Sequence, residues 1–436
     1  MKTFKRILLA IVVVGLTYFI YDASLKLPVV TSYAAKDVCS GLFVANRSLE
    51  SLINNDINYS FMSKTSVEIN EDEKSVTARI FGLFPRKAIY RGALGCCVAD
   101  GYNENELKKQ AFDKPEIDNI PLDTSINDIR NEINFKLLNT ALDSIFEHEE
   151  RTRGVVVLYK NKLIAERYGE GFNQSTPLLG WSMNKSIINA MVGIMKQQNR
   201  LDLSDKSLFK EWQQDERKNI SLNDLMHMSS GLEWNEGYGD LSDVTKMLYK
   251  TGSASNYAIA KQFSVKPDSI WLYSSGTSNI ISKYIRNKIN NDEEYHNFPY
   301  MELFKKIGAS SFCYETDAEG TFVGSSFGYA NTRDWAKFGL LYLNDGMANG
   351  ERILPEGWVK YSYTPAKASN GEYGAQFWLD PDSDINEFIC IGHHGQMIAI
   401  IPSKNLVIVR LGLSIDKHFN TNKFIQNVVN AIKNQN

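Results

Sequence analysis

Ser182 and Lys185 stand three residues apart in Trp181-Ser182-Met183-Asn184-Lys185-Ser186. They head a run whose apolar positions Ile187, Ile188, Met191, Ile194 and Met195 recur at helical spacing. On a helix the two side chains share one face, a turn apart. A serine hydroxyl is a weak nucleophile until a base takes its proton, and a lysine stripped of water, its pKa pulled down, is such a base. The N-terminus of the helix adds the serine's own N–H as a donor to a developing oxyanion. The pair therefore points to acyl transfer. The same residues also read as an N-cap serine followed by a solvated lysine, and S-x-x-K recurs at Ser207–Lys210 and Ser414–Lys417.

A second nucleophile competes. Gly324-Ser325-Ser326-Phe327-Gly328 fits G-x-S-x-G, with His393 and His394 downstream. That elbow needs a buried strand just before it and a helix just after. Here Glu315–Thr321 is polar and the next helix starts near Thr332, so Ser326 reads as a loop residue. His148, His227, His296, His393, His394 and His418 form no HExxH or HxxxH pair, and no Walker-type loop occurs. No metal or cofactor is expected.

Regular elements must hold these side chains in place. Lys136–His148 reads as an amphipathic helix leading into a buried strand at Gly154–Tyr159. Asn161-Lys162 turns the chain into a partner strand, Leu163–Tyr168. Ile389–Ile391, Met397–Ile401 and Leu406–Leu411 are strand-like, and Phe419–Ile432 closes the chain as a helix. The fold class is α/β in the broad sense (α+β), with helices packed on a sheet. Ahead of this body, Ser66–Ile69 and Ser75–Phe81 flank the charged turn Asn70–Lys74 as a hairpin. Asp113–Asp128, with Pro115 and Pro121, reads as a connector.

The N-terminus bears on location. Lys2, Lys5 and Arg6 precede an uncharged stretch, Ile7–Tyr21, which Asp22 closes. This pattern fits an uncleaved signal-anchor, a cleaved signal or a buried helix. The stretch is shorter than the roughly 20 residues that span a bilayer comfortably, and no cleavage site stands out. Basic residues ahead of the apolar run place the rest of the chain outside the cytoplasm. The membrane is contacted through residues 7–21 if they are retained. Of the five cysteines, at 39, 96, 97, 313 and 390, Cys39 with Cys96 or Cys97 is the preferred bridge, against free buried thiols. With 436 residues and a net charge of -3, the chain is large enough for a real core and has no basic field for nucleic acid.

Other segments then fall into order around Ser182 and Lys185. Leu225-Met-His-Met-Ser-Ser-Gly-Leu232, Trp271-Leu-Tyr-Ser-Ser-Gly276, Asn331–Leu343 and Gly392-His-His-Gly-Gln396 follow one another along the chain. Together they resemble the serine β-lactamase and penicillin-binding superfamily. The nearest flavour is the class C-like group that includes family VIII esterases and 6-aminohexanoate-dimer hydrolase.

The resemblance implies a β-lactamase/transpeptidase-like fold, an antiparallel sheet flanked by helices with a mainly helical region beside it. It implies Ser182 as acylated nucleophile, Lys185 as its base or proton relay, and Tyr273 as the group that takes and returns the proton. Ser275 stands where β-lactamases carry asparagine. His393 stands where they carry lysine, and Gly395 completes H-x-G. The backbone N–H groups of Ser182 and Gln396 would form the oxyanion hole.

Losing the asparagine amide and the fixed cation fits an esterase, amidase or peptidase better than a β-lactamase. At position 393 it introduces a group expected to titrate near pH 6–7. His394 and His227 are expected to pack as scaffolding. The resemblance also pairs Cys39 with Cys96. The expected division is a leader or anchor at residues 1–27, an extension at 28–128 and a catalytic domain at 129–436. The expected function is an extracytoplasmic serine hydrolase acting on a small-molecule or short-peptide amide or ester. The alternative is a non-catalytic cell-wall peptide-binding or sensor module. Loops Glu233–Val244 and Lys367–Phe377, with Tyr238, Tyr373 and Trp378, either line a cleft or pack.

Overall fold

A single helix, α1 (Lys2–Phe43), opens the chain in the computed structural model, which describes residues 2–110, 112–146, 151–415 and 419–433. Pro28 lies inside it and removes one backbone donor without ending the helix. The first half stands clear of the protein: Phe4, Leu9, Val14, Phe19 and Tyr21 are all exposed. This overturns the reading of residues 7–21 as a buried helix, because their side chains pack against nothing in the fold. From Thr31 onward the helix is covered, with Ser32, Ala34, Ala35, Val38 and Cys39 buried. The expected boundary between residues 27 and 28 therefore falls inside one element. Packing of the second half sustains the helix across the proline.

These small residues let α1 lie close on a four-stranded antiparallel sheet of β1 (Thr65–Asn70), β2 (Ser75–Ile80), β3 (Leu83–Tyr90) and β4 (Cys96–Val98). Asn70 pairs with Ser75, so the expected hairpin forms and its turn is Glu71–Lys74, with Asn70 closing β1. Phe81 belongs to the next turn instead, at a positive φ of 52° beside Gly82 at 74°. A Cys39–Cys96 disulfide ties α1 to β4. Glu315, from the main body, accepts bonds from Lys36 Nζ (2.5 Å), Ser40 Oγ (2.8 Å) and the Cys96 N–H (2.7 Å). The extension is thus keyed into the body through a buried carboxylate.

Residues 112–128 carry no helix or ladder strand and lead to α2 (Phe135–Phe146). His148, once expected to end this helix, lies outside the described residues. The central sheet uses β5 (Thr152–Tyr159) and β6 (Lys162–Tyr168). The chain then leaves it through α3 (Asn184–Gln197), α4 (Ser275–Ile289) and α5 (Thr332–Leu343). It returns as β7 (Trp378–Leu379), β8 (Phe388–Gly392), β9 (Gln396–Ile401) and β10 (Leu406–Gly412), and ends on α6 (Thr421–Val429). Strand order is β7-β8-β9-β10-β5-β6, antiparallel throughout.

Successive side chains alternate between the two faces of the sheet. Val155, Val157, Met397 and Ile408 meet α2 and α6, while Val156, Leu158, Ile398 and Val407 meet α3 and α5. With both faces covered, β5 reads as an unbroken apolar run from Gly154 to Tyr159. Gly339 makes the α5 contact possible: a Cβ there would sit 2.6 Å from Val407 Cγ1. Short helices at Leu222–Met226, Asp243–Tyr249 and Ala254–Ile259 pack with α4 into the helical region. The expected antiparallel sheet flanked by helices is the fold observed.

Candidate active site

Ser182 sits in a short 3-10 turn, Trp181–Met183, immediately before α3. No side-chain cap bond forms at either boundary, and Lys185 is 1 % exposed, so these residues are not an N-cap serine and a solvated lysine. Trp181 carries a positive φ of 48°, an unusual conformation for a bulky residue and one of the kind that clusters at functional sites.

The segment that matched G-x-S-x-G braces this turn. Gly180 N–H donates to Gly328 O (2.9 Å), and Asn184 Nδ2 donates to Trp181 O (2.8 Å) and Ser326 O (3.2 Å). Ser326 is fully buried beside Ser325, and the strand Gly328–Ala330 follows it rather than a helix. The segment supports the candidate nucleophile from behind.

Lys185 Nζ lies 2.9 Å from Ser182 Oγ, 3.0 Å from Ser275 Oγ and 3.1 Å from Ser325 O. Burial pulls its pKa down to about 8, with Glu236 opposing from nearby. Glu236 is a residue the sequence reading did not single out. Its Oε1 accepts from Ser275 Oγ at 2.5 Å, and its Oε2 accepts from Ser275 N–H at 2.9 Å and Trp234 Nε1 at 2.5 Å.

The consequence is directional. Because the Ser275 proton goes to Glu236, the Ser275 oxygen can only accept from Lys185, and Ser325 O is a carbonyl with no proton to give. Once Lys185 is neutral, its two remaining N–H bonds have fixed acceptors, and its lone pair is left facing Ser182 Oγ.

Tyr273 stands on the other side of Lys185, its ring centroid 4.9 Å from Nζ. Burial raises its hydroxyl pKa further above the phenol range, as does Glu236, while hydrogen bonding with Ser182 opposes. Ser274 caps α4 by accepting from Thr277 N–H, which fixes Tyr273 and Ser275 on either side of that cap. Trp378 and Tyr373 flank Tyr273 at ring distances of 5.0 and 5.8 Å. Tyr373 is itself buried and packs, whereas Trp378 is half-exposed.

His393, His394 and Gly395 form the turn between β8 and β9. Tyr238 stacks on His393 at 4.5 Å, and Trp181 meets it edge-on at 5.5 Å. Burial pushes the His393 pKa down to about 4. This lies below the pH 6–7 expected from the residue type and favours a neutral imidazole at position 393. His394 packs, its Nδ1–H donating to Ser414 O (3.2 Å), and His227 Nδ1–H donates in the same way to Asn223 O (3.1 Å).

The turn puts His394 at φ 62° and Gly395 at φ 80°, and a Cβ on Gly395 would meet Arg410 Nη1 at 2.6 Å. Buried Arg410 holds the turn, donating to His394 O (3.1 Å) and Gly395 O (2.9 Å). The side chain of Gln396 is committed to Gly412, donating to its carbonyl at 2.6 Å and accepting from its N–H at 2.9 Å. Only the Gln396 backbone is left for a substrate. Arg410 was also missed, though a charge inside the apolar run Leu406–Leu411 was a visible signal. Glu236 had none beyond its place in a loop after Ser-Gly-Leu.

The extension reaches the same place. Tyr33 of α1 lies 6.0 Å from the Trp181 ring and 5.0 Å from Tyr249. Tyr59 donates to the Tyr33 hydroxyl at 3.1 Å and lies 3.5 Å from His394 Nε2. Among the described residues no cluster of His, Cys, Asp and Glu could hold a metal ion.

A family model described as Beta-lactamase matches residues 142–413. The 6-aminohexanoate-dimer hydrolase of Paenarthrobacter ureafaciens is 24% identical over 294 residues, covering 60% of this chain and 73% of that protein. A Bacillus anthracis structure assigned as a 6-aminohexanoate-dimer hydrolase superposes with a TM-score of 0.60 at 21% identity, over 72% of this chain and 88% of the other. A family VIII carboxylesterase superposes with a TM-score of 0.53 at 13% identity, over 69% and 96%. At these identities the two structures speak for the fold.

Proposed function

The chain belongs to the beta-lactamase family of hydrolases, and we propose that it cleaves an ester or amide through an acyl-serine intermediate on Ser182. One observation carries this reading: the two fixed acceptors around Lys185 aim its lone pair at Ser182 Oγ, 2.9 Å away. With a pKa of about 8, roughly a tenth of Lys185 is neutral at pH 7.

The neutral amine takes the Ser182 proton as Oγ attacks the carbonyl carbon. The N–H groups of Ser182 and Gln396 receive the oxyanion. As the tetrahedral intermediate collapses, Tyr273 passes a proton to the leaving alcohol or amine and recovers one from Lys185. Water then repeats the sequence on the acyl-serine, which releases the acid. Aromatic walls and a neutral His393 in place of a fixed cation favour a substrate without a carboxylate at that position.

Residues 7–21 act as an uncleaved anchor, and the body lies outside the cytoplasm. A helix that runs unbroken from the exposed apolar half into the packed half supports retention, and a Cys39–Cys96 disulfide suits an oxidising compartment.

Labelling with a fluorophosphonate tests the reading. Wild type and Ser326→Ala are expected to label and Ser182→Ala is not. Labelling that survives Ser182→Ala overturns the nucleophile, and an unlabelled wild type favours a binding module.

A further inference from the structure

The helix that leaves the apolar stretch is built into the wall of the active site. Lys26, five residues past Tyr21, bridges Asp240 at 3.1 Å, on the loop that carries Glu236 and Tyr238. Lys250 Nζ donates to Leu25 O at 3.3 Å. Tyr33, two turns further along, packs on Trp181, the neighbour of Ser182. Twelve residues separate Tyr21 from Tyr33, a rise of about 18 Å along a helix. Any tilt of α1 brings the site lower. Near the site, Ile270 and Leu272 stand exposed beside Trp271 and Tyr273, an apolar edge around an aromatic cleft.

We infer that the substrate is held in a bilayer, an amphiphile anchored by its apolar chains whose scissile ester or amide lies in the polar head group. The inference rests on the serine-hydrolase and anchor readings above. The height of the site selects the bond. A bond among the chains lies too deep, whereas one displayed roughly 10–20 Å above the hydrocarbon edge meets Ser182 with the anchor still in place. Confinement to the same surface raises the effective concentration of such a substrate, as linkage does for any pair of tethered partners.

The test uses the full chain in vesicles of phosphatidylcholine and phosphatidylglycerol, with two fluorophosphonates sharing one warhead. One is water-soluble. The other hangs from a dialkyl lipid on a spacer of about 15 Å, inside the reach that helix rise allows. Labelling of Ser182 is read by peptide mass spectrometry. The lipid-held probe is expected to label at least about tenfold faster at equal total amount.

Seven helix-forming residues inserted between Tyr21 and Asp22 lift the body by about 10 Å while nearly preserving the helix face. They should remove most of that advantage, and a longer spacer should restore it. A soluble probe that labels Ser182 as fast as the lipid-held one overturns the inference, as does an insertion without effect or a protein that fails to float with the vesicles. In those cases the serine-hydrolase reading stands. Labelling of Ser182 by neither probe overturns both.

Discussion

The protons around Lys185 decide its chemistry. Ser275 is locked as an acceptor by Glu236, so the charge on Glu236 has two effects: it raises the lysine pKa and it orients the lone pair. Glu236→Gln is therefore expected to cut kcat by about tenfold, the worth of one charge-assisted hydrogen bond. It should also move the acidic limb of the pH–rate profile below its wild-type position near 8, because a negative neighbour is gone. A merely structural glutamate would leave that limb in place.

Lys185→Met is expected to lower kcat by about 10³-fold with a native circular dichroism spectrum. Between pH 8 and 10.5 the unfolded chain keeps a proton that the native lysine has lost, so native stability rises with pH across that window. Below it both states are protonated and a burial penalty of about 3 kcal/mol is constant. Its removal offsets the hydrogen bonds lost, and the unfolding free energy of Lys185→Met from urea titration at pH 7 should lie within about 1 kcal/mol of wild type. His393→Gln should leave the shape of the kcat/KM profile between about pH 5 and 7 unchanged, since the imidazole is already neutral there. Ser182, Lys185 and Tyr273 were legible because each lies in a short local pattern. Glu236 and the depressed His393 were not, because both depend on what the fold brings against them.

At the scale of elements, the extension and the body meet through buried polar groups. Lys36 and Glu315 are 4% and 0% exposed, so removing one partner strands the other charge. Glu315→Gln is expected to cost about 3–5 kcal/mol, concentrated where the extension docks. Hydrogen exchange should quicken across α1 and β1–β4 while β5, β9 and β10 keep their protection. Uniform loss of protection would instead mean that the extension and the sheet unfold as one unit. The strands of the central sheet were readable because apolar runs bounded by turns are a local signal. The end of the leader was not: no cleavage site stands out locally, and the packing of Ala34–Cys39 against β1–β4 explains why the helix continues past Pro28.

For the whole molecule, a net charge of -3 and an active site walled by aromatic rings suit a neutral ester or amide better than a polyanion. One fold joins three parts that the sequence presented separately: an apolar leader, a disulfide-tied extension and a beta-lactamase-type body. Tyr33 and Tyr59 make the extension part of the site's wall rather than a detached preface. The central claim remains a covalent bond to one atom. The most direct measurement is peptide mass mapping of the full chain quenched in acid during turnover of p-nitrophenyl acetate. An acetyl group on Ser182, absent in Ser182→Ala and retained with Ser326→Ala, is the predicted result. Turnover with the acetyl group on another residue, or with no adduct and undiminished in Ser182→Ala, would contradict it.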